Sequence, residues 1–141
     1  MTLLQSILAY VLAALSFLAL DAVWLSTMAE RLYRPAIGHL MAERFAPAPA
    51  VAFYALYVAG IVYFAIAPAL AERRPMAAAV HGALLGLLAY ATYDLTNQAT
   101  LRDWPWQVTV ADLAWGAFAT AAAAGVACWG TLRLAALIGA R

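Results

Sequence analysis

Long apolar runs alternate with short polar breaks along this chain. Four of the runs reach the roughly 20 residues that a helix needs to cross a bilayer: about Leu3 to Ser26, Pro49 to Leu70, Met76 to Asn97 and Val108 to Ala136. No Lys or Arg precedes the first run, it is too long for a signal-peptide core, and Asp21 interrupts its far end, so it reads as a span. The connections "AERRP" and "ATLRDWPWQ" are short, whereas the first, Thr27 to Ala50, is long enough to hold structure of its own. There Pro35 suits a first helical turn, and Ile37, Leu40, Met41 and Phe45 follow at i, i+3, i+4 and i+8. That spacing predicts a short amphipathic helix over about 35 to 45, lying in the interface, before Pro47 and Pro49 interrupt it. The expected fold is all-α: one domain over residues 1–141, a polytopic four-transmembrane-helix bundle with an interfacial helix between spans one and two.

Composition agrees with a membrane-embedded chain. Hydrophobic residues make up 67% and charged residues 11%, against about 25% charged in soluble proteins, and the mean hydropathy is +0.85. A net charge of +1 with scattered Arg gives no electrostatic footprint for nucleic acid. One cysteine, Cys128, rules out an intramolecular disulfide and a Cys-rich metal site. With four spans both termini share a side, here called side A. Arg73, Arg74, Arg133 and Arg141 fall on side A against Arg31, Arg34, Arg44 and Arg102 on side B, so the positive-inside count is tied. The Arg73–Arg74 pair in a very short loop tips the expectation towards cytoplasmic termini.

Charge inside the apolar runs is the main chemical signal. Asp21 and Asp94 approach the side B ends of spans one and three, and Asp112 enters the first turns of span four, so all three acids fall at similar depth. Helical spacing puts Tyr90, Asp94 and Asn97 on one face with Tyr93 beside them. Tyr10, Phe17, Asp21 and Trp24 share a face of span one, and Tyr54 and Tyr57 enter span two from side B. The expected site is a pocket of carboxylates, an amide and phenols open towards side B. Three carboxylates in a low-dielectric space cannot all ionise cheaply, so a proton is shared or a cation sits there. Arg34 and Arg102 are available as that cation, as are an amine substrate or an oxygen-bound divalent metal, and the residues do not choose among them. The plainer reading has Asp21 and Asp112 at headgroup level satisfying Trp or loop N–H groups, with Asp94 capping a helix end.

The remaining polar and aromatic signals carry less. Trp24, Trp104, Trp106 and Trp115 cluster near side B as an interfacial belt would, which competes with a ligand role for Trp24 and Trp115. His39 projects from the expected interfacial helix, either over the pocket or as ordinary surface, whereas His81 lies about 20 Å from Asp94 along its helix and cannot share that site. Gly82 and Gly86, then Gly116, Thr120, Ala124 and Cys128, recur at four-residue steps, the mark of close helix packing in lipid. D-x-x-W recurs within the apolar runs, as "DAVW" and "DLAW". No established catalytic signature is present, which lowers the case for an enzyme without closing it.

"LDAVWL", "YATYDLTNQATL", "DWP" and "DLAWG" together make nearly the whole chain resemble a family of small bacterial inner-membrane proteins catalogued as a domain of unknown function. The resemblance implies four spans, a bacterial inner membrane and motif positions at Asp21, Trp24, Tyr93, Asp94, Asn97, Trp104, Asp112 and Trp115, but no activity and no cofactor. Relatives often carry Lys in the loops and this chain has none, which weakens any borrowed orientation. Three functions fit: a proton- or cation-coupled transporter of a small solute, whose scant enclosed volume calls for a homodimer; a membrane-embedded enzyme acting on a lipid or isoprenoid headgroup; and a non-catalytic accessory subunit of a membrane complex.

Overall fold

The computed structural model describes residues 1–139. Arg141, which entered the orientation count, lies outside them. Four helices are long and apolar enough to span a membrane: α1 (Leu3–Leu40), α2 (Pro47–Ala71), α3 (Pro75–Thr100) and α4 (Trp106–Leu137). No strand occurs among the described residues.

The start of α1 is fixed by a reciprocal cap, in which the Thr2 hydroxyl accepts from the Gln5 backbone N–H and the Gln5 side chain accepts from that of Thr2. Helix α1 runs further than hydropathy indicated. It is α-helical to Met28, opens into a π turn over Ala29–Tyr33, resumes over Arg34–Ile37 and ends in a 3₁₀ turn over Gly38–Leu40. A second π turn, Ile61–Ile66, interrupts α2. Both have one cause. Pro35 and Pro68 follow them closely, and each ring would meet the carbonyl four residues earlier in a regular helix. Widening the preceding turn, so that Arg34 N–H reaches the Ala29 carbonyl and Ala67 N–H the Val62 carbonyl, relieves that clash without ending the helix.

The segment expected as a separate interfacial helix is helical only to Leu40 and continuous with the first span; Met41 to Ala46 are not helical. Pro47 holds Ala46 extended. With Pro47 and Pro49 both in the first turn, where backbone N–H groups have no helical partner, α2 starts at Pro47. The two short connections turn through left-handed residues, Arg73 (φ 55°) and Asp103 (φ 58°).

Helix α4 is the centre of the bundle. Its buried residues include Thr109, Asp112, Gly116, Ala119, Ala123, Ala127 and Thr131, at steps of three or four that keep one seam inward. Helix α3 lies against it so closely that a Cβ at Gly82 would come within 2.7 Å of the Thr120 carbonyl oxygen, and one at Gly86 within 2.0 Å of that of Gly116. Helix α1 lines the other side of α4 through Ala9, Ala13, Phe17 and Asp21, all buried, and α2 contributes Tyr57, Val58, Ile61, Ala65 and Ile66.

Candidate functional site

Four-residue steps along α1 turn Ala9, Ala13, Phe17 and Asp21 to the same inner face, and Asp21 is 6% exposed. The antiparallel α4 brings Asp112 in at similar depth, also 6% exposed. The "DAVW" and "DLAW" segments meet here. Their indoles, Trp24 and Trp115, stack with centroids 4.4 Å apart and planes 9° from parallel. Each tryptophan then serves the other segment's aspartate. Trp115 Nε1–H donates to Asp21 Oδ1 at 3.4 Å, while Trp24 Nε1–H donates at 2.8 Å to the Tyr33 hydroxyl, which donates to Asp112 Oδ1. The π turn before Pro35 carries Tyr33 to that position. The Tyr54 hydroxyl from α2 donates to the second oxygen of Asp21.

Asp94 is placed differently. It is fully buried, lies within α3 rather than at its end, and receives no hydrogen bond on either carboxylate oxygen. Asp112 is near enough to interact with it electrostatically. Asn97, on the same face of α3, is half-buried.

Two cavities converge on Asp112. One, of about 320 Å³, is bounded by Phe53 of α2, by Ala89, Tyr90 and Tyr93 of α3, and by Asp112. The other, of about 330 Å³, lies between the far part of α1 and the α3–α4 connection; Leu25, Tyr33, Met41, Tyr93, Trp104 and Asp112 are among its walls. Tyr93 and Asp112 belong to both.

The other residues singled out in the sequence divide clearly. Tyr90 lies across Gly116, where a Cβ would come within 2.3 Å of its ring. Tyr57 sits deeper, its hydroxyl 2.8 Å from Thr120 Oγ1 and its ring edge-on to Phe17. Tyr10 is on the bundle surface, bonded to the Ala55 carbonyl. Neither expected arginine reaches an acid of the site. Arg34 pairs with Glu30 at 2.8 Å on the surface, and Arg102 is exposed. His39 is exposed beyond the second cavity's walls, and His81 is exposed on α3. No group of three His, Cys, Asp or Glu side chains suited to a metal occurs among the described residues.

Sequence spacing did not single out Tyr33, Phe53, Gln98 or Thr109. Tyr33 precedes Asp112 by 79 positions, a separation that no local periodicity reveals. Gln98 donates to the Trp104 carbonyl and accepts from Thr109, which in turn accepts from the Trp104 indole. That triangle ties the α3–α4 connection over the site and buries Trp104, which the sequence had placed in an interfacial belt.

Among curated proteins and among solved structures, no match to the chain is found. A family of predicted membrane proteins does match, over residues 6–129, a stretch that contains the Asp21 and Asp112 segments, the buried Asp94, the whole of α2 and α3 and most of α1 and α4; the chain belongs to that family, DUF2177.

Proposed function

We propose that the protein is a proton- or cation-coupled carrier of a small solute, with Asp94 as the group that takes up the coupling ion. The observation that carries this reading is Asp94 itself, fully buried with no hydrogen bond to either oxygen. A bare ionised carboxylate in apolar surroundings is very costly, so it needs a neutralising partner, and reversible exchange of such a partner is what coupled transport requires. Asp112 on α4, Tyr93 on α3 and Tyr33 on α1 are ionisable groups that interact with it electrostatically, and none of them supplies a positive charge. One proton or monovalent cation between Asp94 and Asp112 would serve both acids.

The solute side is the pair of cavities that reach Asp112. Towards side A the interior is filled by the α3–α4 contact at Gly82 and Thr120. That close packing favours a homodimer, with a path lined between two copies. The family resemblance supports a bacterial inner membrane location, and the Arg73–Arg74 pair in the short α2–α3 connection favours cytoplasmic termini.

The lipid-headgroup enzyme loses ground because Arg34, which pairs with Glu30, and Arg102 and His39, the residues suited to an anionic headgroup, are absent from the walls of both cavities that reach Asp112. An accessory subunit accounts for the packing seams but leaves Asp94 without a purpose. The test uses proteoliposomes holding a trapped pH-sensitive dye, an imposed pH gradient and a panel of small amines, acids and sugars. At least one solute should move protons through the parent protein and not through Asp94→Asn. Equal responses of the two proteins to every solute, or no proton movement at all, would refute proton coupling, and the same outcome with a sodium- or potassium-sensitive dye under the matching ion gradient would refute cation coupling.

A further inference from the structure

The cavity between α2 and α3 has an unusual wall for a membrane protein. Three aromatic side chains, Phe53, Tyr90 and Tyr93, surround one carboxylate, Asp112. Aromatic faces carry negative electrostatic potential, so wall and carboxylate act in the same sense. No positive side chain balances them: among the described residues the ion pairs are Arg34–Glu30 and Arg74–Glu72, both on the surface.

This combination selects by chemistry. An anion is repelled by both components. A hydrated metal ion would need several oxygen ligands in exchange for its water, and the wall offers one carboxylate among apolar rings. An organic cation fits, because its charge is spread over apolar groups, it loses little hydration, and aromatic faces attract it when water is excluded. At about 320 Å³ the cavity lies at the small end of ligand sites, which points to one ring or a short alkyl group. Phe53 and Tyr93 are 48% and 59% exposed on the outer face of the bundle, so the mouth opens where lipophilic amines accumulate.

We infer that this pocket binds a small lipophilic organic monocation, an aryl- or alkylammonium, with its cationic centre against Asp112 and its apolar part between Phe53, Tyr90 and Tyr93. The inference rests on the carrier reading above and names its substrate class.

The experiment measures binding of benzyltrimethylammonium to the full chain in phosphatidylcholine nanodiscs by calorimetry, beside its neutral isostere neopentylbenzene. The cation should bind saturably and the isostere far more weakly. Affinity for the cation should fall at least about tenfold in Asp112→Asn and roughly threefold to tenfold in Phe53→Ala. Asp112 accepts a hydrogen bond from Tyr33, so its variant needs a helicity check; Phe53 sits at the rim, and if Asp112→Asn does not fold, Phe53→Ala decides the matter alone. Equal binding of cation and isostere would mean an apolar groove suited to an acyl chain and would overturn the inference, as would unchanged affinity in the folded variants. Asp112-dependent cation binding without proton, sodium or potassium movement for any solute upholds this site and sinks the carrier reading. Asp94-dependent proton movement with cation and isostere bound alike sinks this site and spares the carrier.

Discussion

Replacing Gly86 by Ala puts a methyl group where the backbone of another helix already lies. The new Cβ would be 2.0 Å from the Gly116 carbonyl oxygen and 2.6 Å from Thr120 Oγ1, whereas ordinary contact begins at 3.4 Å. Neither obstacle is the far end of a flexible side chain, since one is backbone and the other a short hydroxyl bonded to Tyr57. Helices α3 and α4 must therefore part by about 1 Å along the seam that Gly82 and Gly86 create, and the dispersion contacts on both sides weaken together. Overpacking a close-fitted interior costs about 1 to 3 kcal/mol and sometimes more, and a backbone obstacle places Gly86→Ala at about 3 kcal/mol or above. Gly60→Ala is the control, because nothing lies within 4 Å of its Cβ position. Replacing a helical glycine there is neutral or favourable by up to about 1 kcal/mol. Equilibrium unfolding in mixed dodecylmaltoside and SDS micelles, followed by tryptophan fluorescence and circular dichroism, reads the difference. If both variants unfold at the same SDS fraction, α3 and α4 are not in backbone contact and the packing described above is wrong.

Other substitutions separate the roles of individual side chains. Gly116→Ala would put its Cβ 2.3 Å from Cδ2, 2.4 Å from Cγ and 2.9 Å from Cβ of Tyr90, atoms at the root of that side chain that ring rotation cannot clear; it should therefore destabilise as Gly86→Ala does and also alter binding in the cavity Tyr90 lines, with a stability equal to that of Gly60→Ala refuting the contact. Tyr54→Phe removes a close donor to Asp21 and should cost about 1 to 3 kcal/mol in the micelle assay. Trp115→Phe keeps a ring against Trp24 and loses only a long 3.4 Å bond, so it should cost about 1 kcal/mol or less, and the reverse order would contradict the geometry. Gln98→Ala breaks two bonds that hold the α3–α4 connection and should speed amide hydrogen exchange over residues 101 to 106, whereas unchanged exchange would show that the triangle does not hold that loop. Asp94→Asn loses no hydrogen bond and should leave stability unchanged or slightly raised, while Asp21→Asn keeps one acceptor oxygen but turns its N–H₂ towards the other of the two donors and should destabilise by about 1 to 3 kcal/mol; equal losses would mean that Asp94 has a partner.

The four spans were legible because length and hydropathy suffice for them, and the α3–α4 seam because small residues at four-residue steps have one strong physical use in lipid. The limits of the spans were less so. Continuation of α1 to Leu40 depends on a π turn accommodating Pro35, whereas the apolar spacing through Phe45 pointed to a separate interfacial helix. Spacing on one helix also placed Tyr90 and Asp94 on a common face and favoured Asp94 among the three acids, yet it did not reveal what holds the other two. The distinction among them comes from donors on other helices, Tyr33, Tyr54 and Trp115, each far along the chain from the aspartate it serves. Phe53 was invisible for the same reason, since its importance lies in facing α3 across a cavity.

That uneven supply of donors is the central physical feature of the site. Asp21 has a donor on each oxygen and Asp112 has Tyr33, so both are held by neutral groups that fix their positions without cancelling charge. The stacked Trp24 and Trp115 link these two acids, so moving α1 against α4 disturbs both at once. Asp94, on α3, has no such support and stands next to the one acid that lines both cavities. A packing role would favour the opposite arrangement, because an unsupported buried carboxylate costs stability and a leucine would not. Retaining it makes sense if its partner comes and goes, and the rigid pair beside it then supplies a fixed frame against which that exchange is felt.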